Sequence, residues 1–154
     1  MSNNAIKLNG KSYQWPKRPI VVVCIDGGDP EYMEYGFSAG IIPNIQRFRS
    51  DGFYAIATGS MPSFTCPNNM SIVTGTEPET HGISGNFFLN RETNQPIVMT
   101  GPELLRVRSI MSEFSCHGAK VVSITSKDKL RKQLQKDMDF TGGSVSFSAQ
   151  FADQ

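Results

Sequence analysis

The chain predicts an α/β fold: a mostly parallel sheet, incomplete within this sequence, flanked by helices on both faces, with a β-hairpin at its amino end. Three observations carry this. Residues 19–25, Pro-Ile-Val-Val-Val-Cys-Ile, form an unbroken apolar, β-branched run with no polar alternation, the pattern of a central parallel strand covered on both faces. Residues 119–125, Ala-Lys-Val-Val-Ser-Ile-Thr, read as a second buried strand. Between and after these runs lie segments with helical spacing and turn residues at their ends, the alternation that layered α/β domains require.

In chain order, Ile6-Lys-Leu8 and Ser12-Tyr-Gln-Trp15 flank Asn9-Gly10, a strong two-residue turn signal. The hairpin is expected as an extension over residues 1–18 that covers an edge of the sheet. Past the strand at 19–25, short helices over 31–37 and 43–50 lead through Gly52 into a strand over 53–58. A helix begins near Thr65: Pro67 suits a first turn whose N–H groups need no intrahelical partner, Met70, Ile72 and Val73 follow, and Gly75 is a stop. A helix over 102–116 is predicted from a Thr100–Glu103 capping box and from Leu104, Val107, Met111 and Phe114, which recur at helical spacing and read as core. Ser126 is expected to cap a helix through Leu130 and Leu134, and 141–150 starts like another strand. No repeat or linker divides the chain, so residues 1–154 are expected to be the amino-terminal portion of a single catalytic domain.

Fifteen basic against 14 acidic residues leave a net charge of +1, which gives no general field for nucleic acid or a membrane surface. No apolar run approaches the roughly 18 residues of a membrane span. The first residues lack the apolar core of a signal peptide, so a cytoplasmic location is expected. Cys24, Cys66 and Cys116 are odd in number and lack metal-ligand spacing, so they read as reduced thiols, Cys24 within the core strand.

Two positions suggest chemistry. Thr65 stands where an apolar helix begins, so unpaired N–H groups and the positive end of the dipole would surround its hydroxyl and favour a phosphoryl group; the alternative is a simple N-cap. Asp26 follows the first strand, at the carboxyl end where ligands of open α/β sheets bind, and Gly27-Gly28 would let the backbone turn tightly against a metal ion or phosphate. Its alternative is a cap for the helix near Pro30.

Together, Asp26-Gly-Gly28, Thr65-Cys-Pro-Asn68 and Ser71-Ile-Val-Thr-Gly-Thr-Glu-Pro-Glu-Thr-His-Gly-Ile83 resemble the alkaline phosphatase superfamily, in its nucleotide pyrophosphatase/phosphodiesterase and phosphonoacetate hydrolase branch. The last stretch is similar to the family pattern S-x-x-T-G-x-x-P-x-x-H-G. The resemblance implies an alkaline phosphatase-like fold, two divalent metal ions, zinc in that family, with Asp26 and Thr65 among the ligands, and Thr65 as the nucleophile. Downstream, Asn86 and the pair Lys127 and Lys129 resemble the substrate-binding positions of phosphonoacetate hydrolases. Asn86 would then donate to a phosphoryl oxygen, or else be a turn residue after Gly85. The lysines would meet a substrate carboxylate by charge-assisted hydrogen bonds, or else belong to a solvated basic face with Arg131, Lys132 and Lys136.

The expected activity is hydrolysis of the carbon–phosphorus bond of phosphonoacetate, a small phosphonate, through a phosphothreonine. Most metal ligands of the resembling enzymes are Asp and His residues of the later half of a longer chain. His81, in a turn, and His117, at a helix end, do not supply them. The remaining ligands are therefore expected outside this chain, from a missing carboxyl-terminal part, with a homodimer also open, and the 154 residues alone are expected to be inactive. The alternatives are a nucleotide phosphodiesterase or pyrophosphatase, for which Phe87 and Phe88 offer an aromatic clamp if they are not core, and a noncatalytic fragment or interaction module with an exposed apolar patch.

Overall fold

The computed structural model describes residues 5–152. They form two compact units, one made of the chain up to Lys17 together with everything from Ser60 onward, the other of Arg18–Gly59. In chain order the elements are β1 (Ile6–Leu8), β2 (Lys11–Tyr13), α1 (Pro30–Ser38), α2 (Pro43–Asp51), α3 (Thr65–Thr74), α4 (Pro78–His81), β3 (Phe87–Asn90), β4 (Gln95–Val98), α5 (Ile110–Cys116), β5 (Val122–Thr125), α6 (Asp128–Leu134) and β6 (Val145–Ser148), closed by a 3-10 turn at Ala149–Phe151. The chain is mixed α/β with an amino-terminal antiparallel hairpin, as the sequence predicts. No helix among the described residues is long and apolar enough to cross a membrane.

In the hairpin Ile6 pairs with Tyr13 and Leu8 with Lys11. Asn9 (φ 48°) and Gly10 (φ 77°) both adopt the left-handed conformation that a tight primed turn demands. The strands of the hairpin pair with no third strand among the described residues. Its turn meets the end of α3, where Asn9 Nδ2 donates to the carbonyls of Thr74 and Arg108, both at 2.9 Å, and Lys11 Nζ donates to that of Gly75 at 2.6 Å. The reason is a demand for donors: the last carbonyls of a helix have no intrahelical partner. Trp15 adds a ring stacked 5.5 Å from Phe114.

Parallel pairing is carried by β5 and β6, in register from Val122 opposite Val145 to Thr125 opposite Ser148, with α6 as the crossover. The inward residues of β5 are Ser123 and Thr125, whereas Val122 and Ile124 are exposed, which corrects the expectation of a buried strand. Among the described residues β5 has only β6 beside it. The same holds more strongly for the run at 19–25: it pairs with no strand among the described residues, and Ile20, Val21, Val22 and Val23 are 73–84% exposed. Cys24 is exposed rather than in a core, and residues 53–58 form no strand. Propensity alone makes no strand, because a strand is completed only by a neighbour that takes its N–H and C=O groups.

The helix expected over 102–116 is shorter. The Arg106 N–H donates to the His81 carbonyl instead of a helical one, and Ser109, not Thr100, caps α5 through a reciprocal capping box with Ser112. The freed segment inserts Leu105 into the core. At α6 the N-cap position belongs to Lys127 rather than Ser126, and the Asp128 N–H is taken by the Gln150 side chain at 3.1 Å. The core of this unit is Cys66, Met70, Ile83, Met99, Leu105 and Leu134, against which Val73, Phe88, Leu104, Met111 and Leu130 pack. Each large side chain buried there contributes about 1.5–3 kcal/mol, so α3 sits at the best-anchored place in the unit.

In the other unit, α1 is capped by Asp29, whose Oδ1 accepts from the Glu31 N–H at 2.8 Å. Arg49 pairs with Glu34 at 3.0 Å and lies 4.8 Å from the rings of both Phe37 and Tyr54.

Candidate active site

Phe64, with extended backbone, occupies the N-cap position of α3, so Thr65 is its first helical residue and the simple N-cap reading is corrected. The half-buried Thr65 is followed by the buried Cys66 and Pro67, which pin the first turn to the core. Asn68 fastens the preceding loop to that turn: its Oδ1 accepts from the Ser60 N–H at 2.9 Å, and its Nδ2 donates to the Phe64 carbonyl at 3.1 Å. Asn69 Nδ2 donates to the Thr65 carbonyl at 2.9 Å. A Thr-x-Pro-Asn sequence thus presents a hydroxyl on a helix start fixed from both sides.

The helix ends at Gly75 (φ 65°), whose N–H bonds the Ser71 carbonyl at 2.9 Å. Past α4, Gly82 (φ 89°) lies so close to the Leu104 carbonyl that any Cβ would collide with it, which explains the glycine of the His-Gly pair. His81 is completely buried. Its Nδ1 accepts from the Ile83 N–H at 3.1 Å, leaving Nε2 to carry the proton toward Ser71 Oγ at 3.0 Å. Burial holds the imidazole below its ordinary pKa, with Arg106 lowering it further and Glu77 opposing.

Asn86 immediately precedes β3. Its carbonyl accepts from the Met99 N–H at 2.8 Å, so it is more than a turn residue. Its Oδ1 accepts from Lys129 Nζ at 3.1 Å, which leaves the amide N–H groups to donate elsewhere. Two of the sequence's three substrate candidates, Asn86 and Lys129, are therefore in contact. Arg131 and Lys132 instead engage Asp128 on their own helix, at 2.6 and 3.2 Å, and the Arg131 hydrogen bond is the main reason the Asp128 carboxyl lies below its usual range. The basic stretch is thus divided: Arg131 and Lys132 turn inward to Asp128, Lys129 reaches Asn86, and Lys127 is exposed at the N-cap. Of the two aromatic residues open to either role, Phe88 packs on the core, whereas Phe87 is 63% exposed.

Asp26 lies in the other unit, exposed, at a turn in which the Gly28 N–H bonds the Ile25 carbonyl at 3.2 Å and Gly27 has φ 71°. Because Asp29 caps α1, a capping role for Asp26 is excluded. As metal donors, the carboxylate of Asp26 and the hydroxyl of Thr65 suit a divalent cation in kind. They fall short in number: no cluster of three or more His, Cys, Asp or Glu exists among the described residues, and a catalytic zinc takes three protein ligands. His117 is exposed, with Nδ1 2.8 Å from the Glu113 carbonyl.

The sequence signal that would have flagged His81 is its place in the S-x-x-T-G-x-x-P-x-x-H-G stretch, ten residues after Ser71.

Residues 20–144 match the family model of the type I phosphodiesterase / nucleotide pyrophosphatase family. An uncharacterised pyrophosphatase/phosphodiesterase of Schizosaccharomyces pombe is 33% identical over 84 residues, 54% of this chain and 17% of that protein. Ectonucleotide pyrophosphatase/phosphodiesterase family member 3 of Rattus norvegicus is 35% identical over 86 residues, 55% of this chain and 10% of that protein. The crystal structure of phosphonoacetate hydrolase from Sinorhizobium meliloti 1021 in complex with phosphonoacetate superposes with a TM-score of 0.93 at 39% identity, covering 99% of this chain and 37% of that one. The same hydrolase in complex with phosphonoformate gives 0.90 at 40% identity, covering 96% and 36%. The fold is thus alkaline phosphatase-like, and the chain spans little more than a third of the solved hydrolase and 17% or less of these two curated relatives.

Proposed function

The chain belongs to the type I phosphodiesterase / nucleotide pyrophosphatase family, and we propose that it is the nucleophile-bearing part of a metal-dependent phosphonoacetate hydrolase. The observation that carries this reading is the Lys129–Asn86 hydrogen bond, 3.1 Å, which sets a cation beside an amide donor in the same unit as Thr65. Residues alike in kind suit the two ends of phosphonoacetate: Asn86 donates to a phosphoryl oxygen, while Lys127 and Lys129 take the carboxylate.

In the proposed reaction Thr65 Oγ, its proton given up to solvent, forms a bond to phosphorus as the carbon–phosphorus bond breaks, and the electron pair departs to carbon as an enolate spread over the carboxylate. The lysine charges stabilise that developing anion more than the ground state, and for this reason they speed the step. The enolate takes a proton to become acetate, and water then releases phosphate from phosphothreonine. Divalent ions, when bound, lower the pKa of a coordinated hydroxyl and neutralise phosphoryl charge; Asp26 and Thr65 are the donors this chain would supply, with others from elsewhere in the enzyme.

In the full-length enzyme, replacing Lys127 and Lys129 together by Ala should lower kcat/KM for phosphonoacetate about 100-fold and that for a neutral aryl phosphodiester only a few-fold. Equal losses on the two substrates would remove carboxylate recognition from the account. The exposed Phe87 next to Asn86 favours one second reading, a nucleotide diester or pyrophosphate stacked on that ring. In that case phosphonoacetate is not turned over, and Phe87→Ala impairs cleavage of the nucleotide.

A further inference from the structure

The helix that presents Thr65 is held by a partly buried polar contact that the proposed chemistry does not use. Ser71 and Pro67 are four residues apart and share one face of α3. Ser71 turns toward His81, its Oγ 3.0 Å from Nε2, while the Pro67 carbonyl is near enough to the ring to oppose slightly the lowering of its pKa. Pro67 is in the first turn, two residues past the nucleophile. On its other side the ring is fixed by the Ile83 N–H at 3.1 Å.

The backbone of His81 is equally constrained. Its N–H donates to the Glu77 carbonyl at 3.0 Å, its carbonyl accepts from the Arg106 N–H at 3.0 Å, and the next residue is the glycine pressed against Leu104. An imidazole seated on such a post has one tautomer that suits both ring neighbours, with the proton on Nε2 toward Ser71 and Nδ1 accepting from Ile83, and paired polar groups hold one another in one arrangement. Placement errors of about 1 Å at a reacting atom cost on the order of 100-fold in rate, so a fixed first turn has catalytic value.

We propose that His81 is a positioning residue for Thr65, its Nε2–H tying Ser71, and with it α3, to the α4 turn so that the nucleophile is presented in one orientation. The proposal rests on the reading of Thr65 as nucleophile. It predicts an effect on turnover that is separable from folding, and the two nitrogens of the ring can be tested apart, because a Gln amide reaches the place of Nε2 whereas an Asn amide reaches that of Nδ1.

The experiment uses the full-length enzyme, with steady-state kinetics and a melting temperature recorded for each variant. His81→Ala should lower kcat by roughly 10- to 100-fold with KM within about threefold. His81→Gln should recover most of the loss and His81→Asn little of it, while Ser71→Ala lowers kcat by a smaller factor without loss of fold. A folded His81→Ala enzyme with near-normal kcat would overturn the proposal. So would a series in which Gln and Asn behave alike and kcat simply follows melting temperature, which is the signature of a structural histidine. If His81→Ala does not fold, an unchanged kcat in Ser71→Ala together with no advantage of Gln over Asn overturns it equally. Thr65→Ala in the same series tests the premise by itself: retained turnover there removes the nucleophile, whatever the histidine variants do.

Discussion

The two units treat the same kinds of side chain in opposite ways. From Ser60 onward, Met70, Ile83, Met99, Leu105 and Leu134 are all less than a tenth exposed and converge on one core around α3. In Arg18–Gly59, Ile20, Val21, Val22 and Val23 are as apolar and β-branched as any strand could be, yet remain 73–84% exposed. The difference lies in neighbours rather than in composition. Residues at helical spacing bury themselves against elements brought in by the same unit, while a strand meant to be covered on both faces needs other strands, and none pairs with 19–25 among the described residues. Chemistry is divided in the same manner: Thr65, Asn86 and Lys129 belong to the unit that makes its own core, and Asp26 belongs to the one that does not.

The largest effect that would sharpen this contrast is expected at the proposed nucleophile. In the full-length enzyme Thr65→Ala should lower kcat at least about 1,000-fold at any zinc concentration, because the proposal makes its oxygen the attacking atom. Asp26→Asn should also inactivate at low zinc but regain part of the activity as zinc is raised, since on the proposal it removes only one of several donors. Zinc titrations that fail to separate the two variants would break the division of roles.

A smaller effect concerns stability, read from urea unfolding of the 154-residue chain. Met70→Ala should cost about 2–5 kcal/mol by leaving a core cavity. Asn9→Ala should cost about 1 kcal/mol by taking a donor from the end of α3, and Val22→Ala less than about 0.5 kcal/mol, as exposed positions do. A Val22 variant as damaging as the Met70 variant would show that the run at 19–25 is packed after all.

What could be read from the sequence follows the same line. The Asn9-Gly10 turn, α1, α2, α3 and the strands at Val122–Thr125 and Val145–Ser148 are stated by local signals, and the structure has them. Asn86 and Lys129 were both candidates, although only a fold that joins β3 to α6 makes them touch. The failures are all non-local. The predicted helix over 102–116 has good spacing, but the Arg106 amide is claimed by His81, far back in the chain, so the helix starts only at Ser109. Ser126 lost its capping place to Lys127 because Gln150 supplies the missing acceptor from another element. The burial of 19–25 was inferred from composition, which carries no information on whether a neighbouring strand is present. His81 looked like a turn residue because its partners, Ser71 and Ile83, matter only once the helix has folded back beside it.

The account stands most directly on a covalent bond to one oxygen. The full-length enzyme with zinc, quenched in acid during turnover of phosphonoacetate and digested for mass spectrometry, should yield a phosphate adduct on the peptide carrying Thr65, absent from the Thr65→Ala variant. Turnover without any phosphopeptide, or an adduct on a different residue, would contradict it.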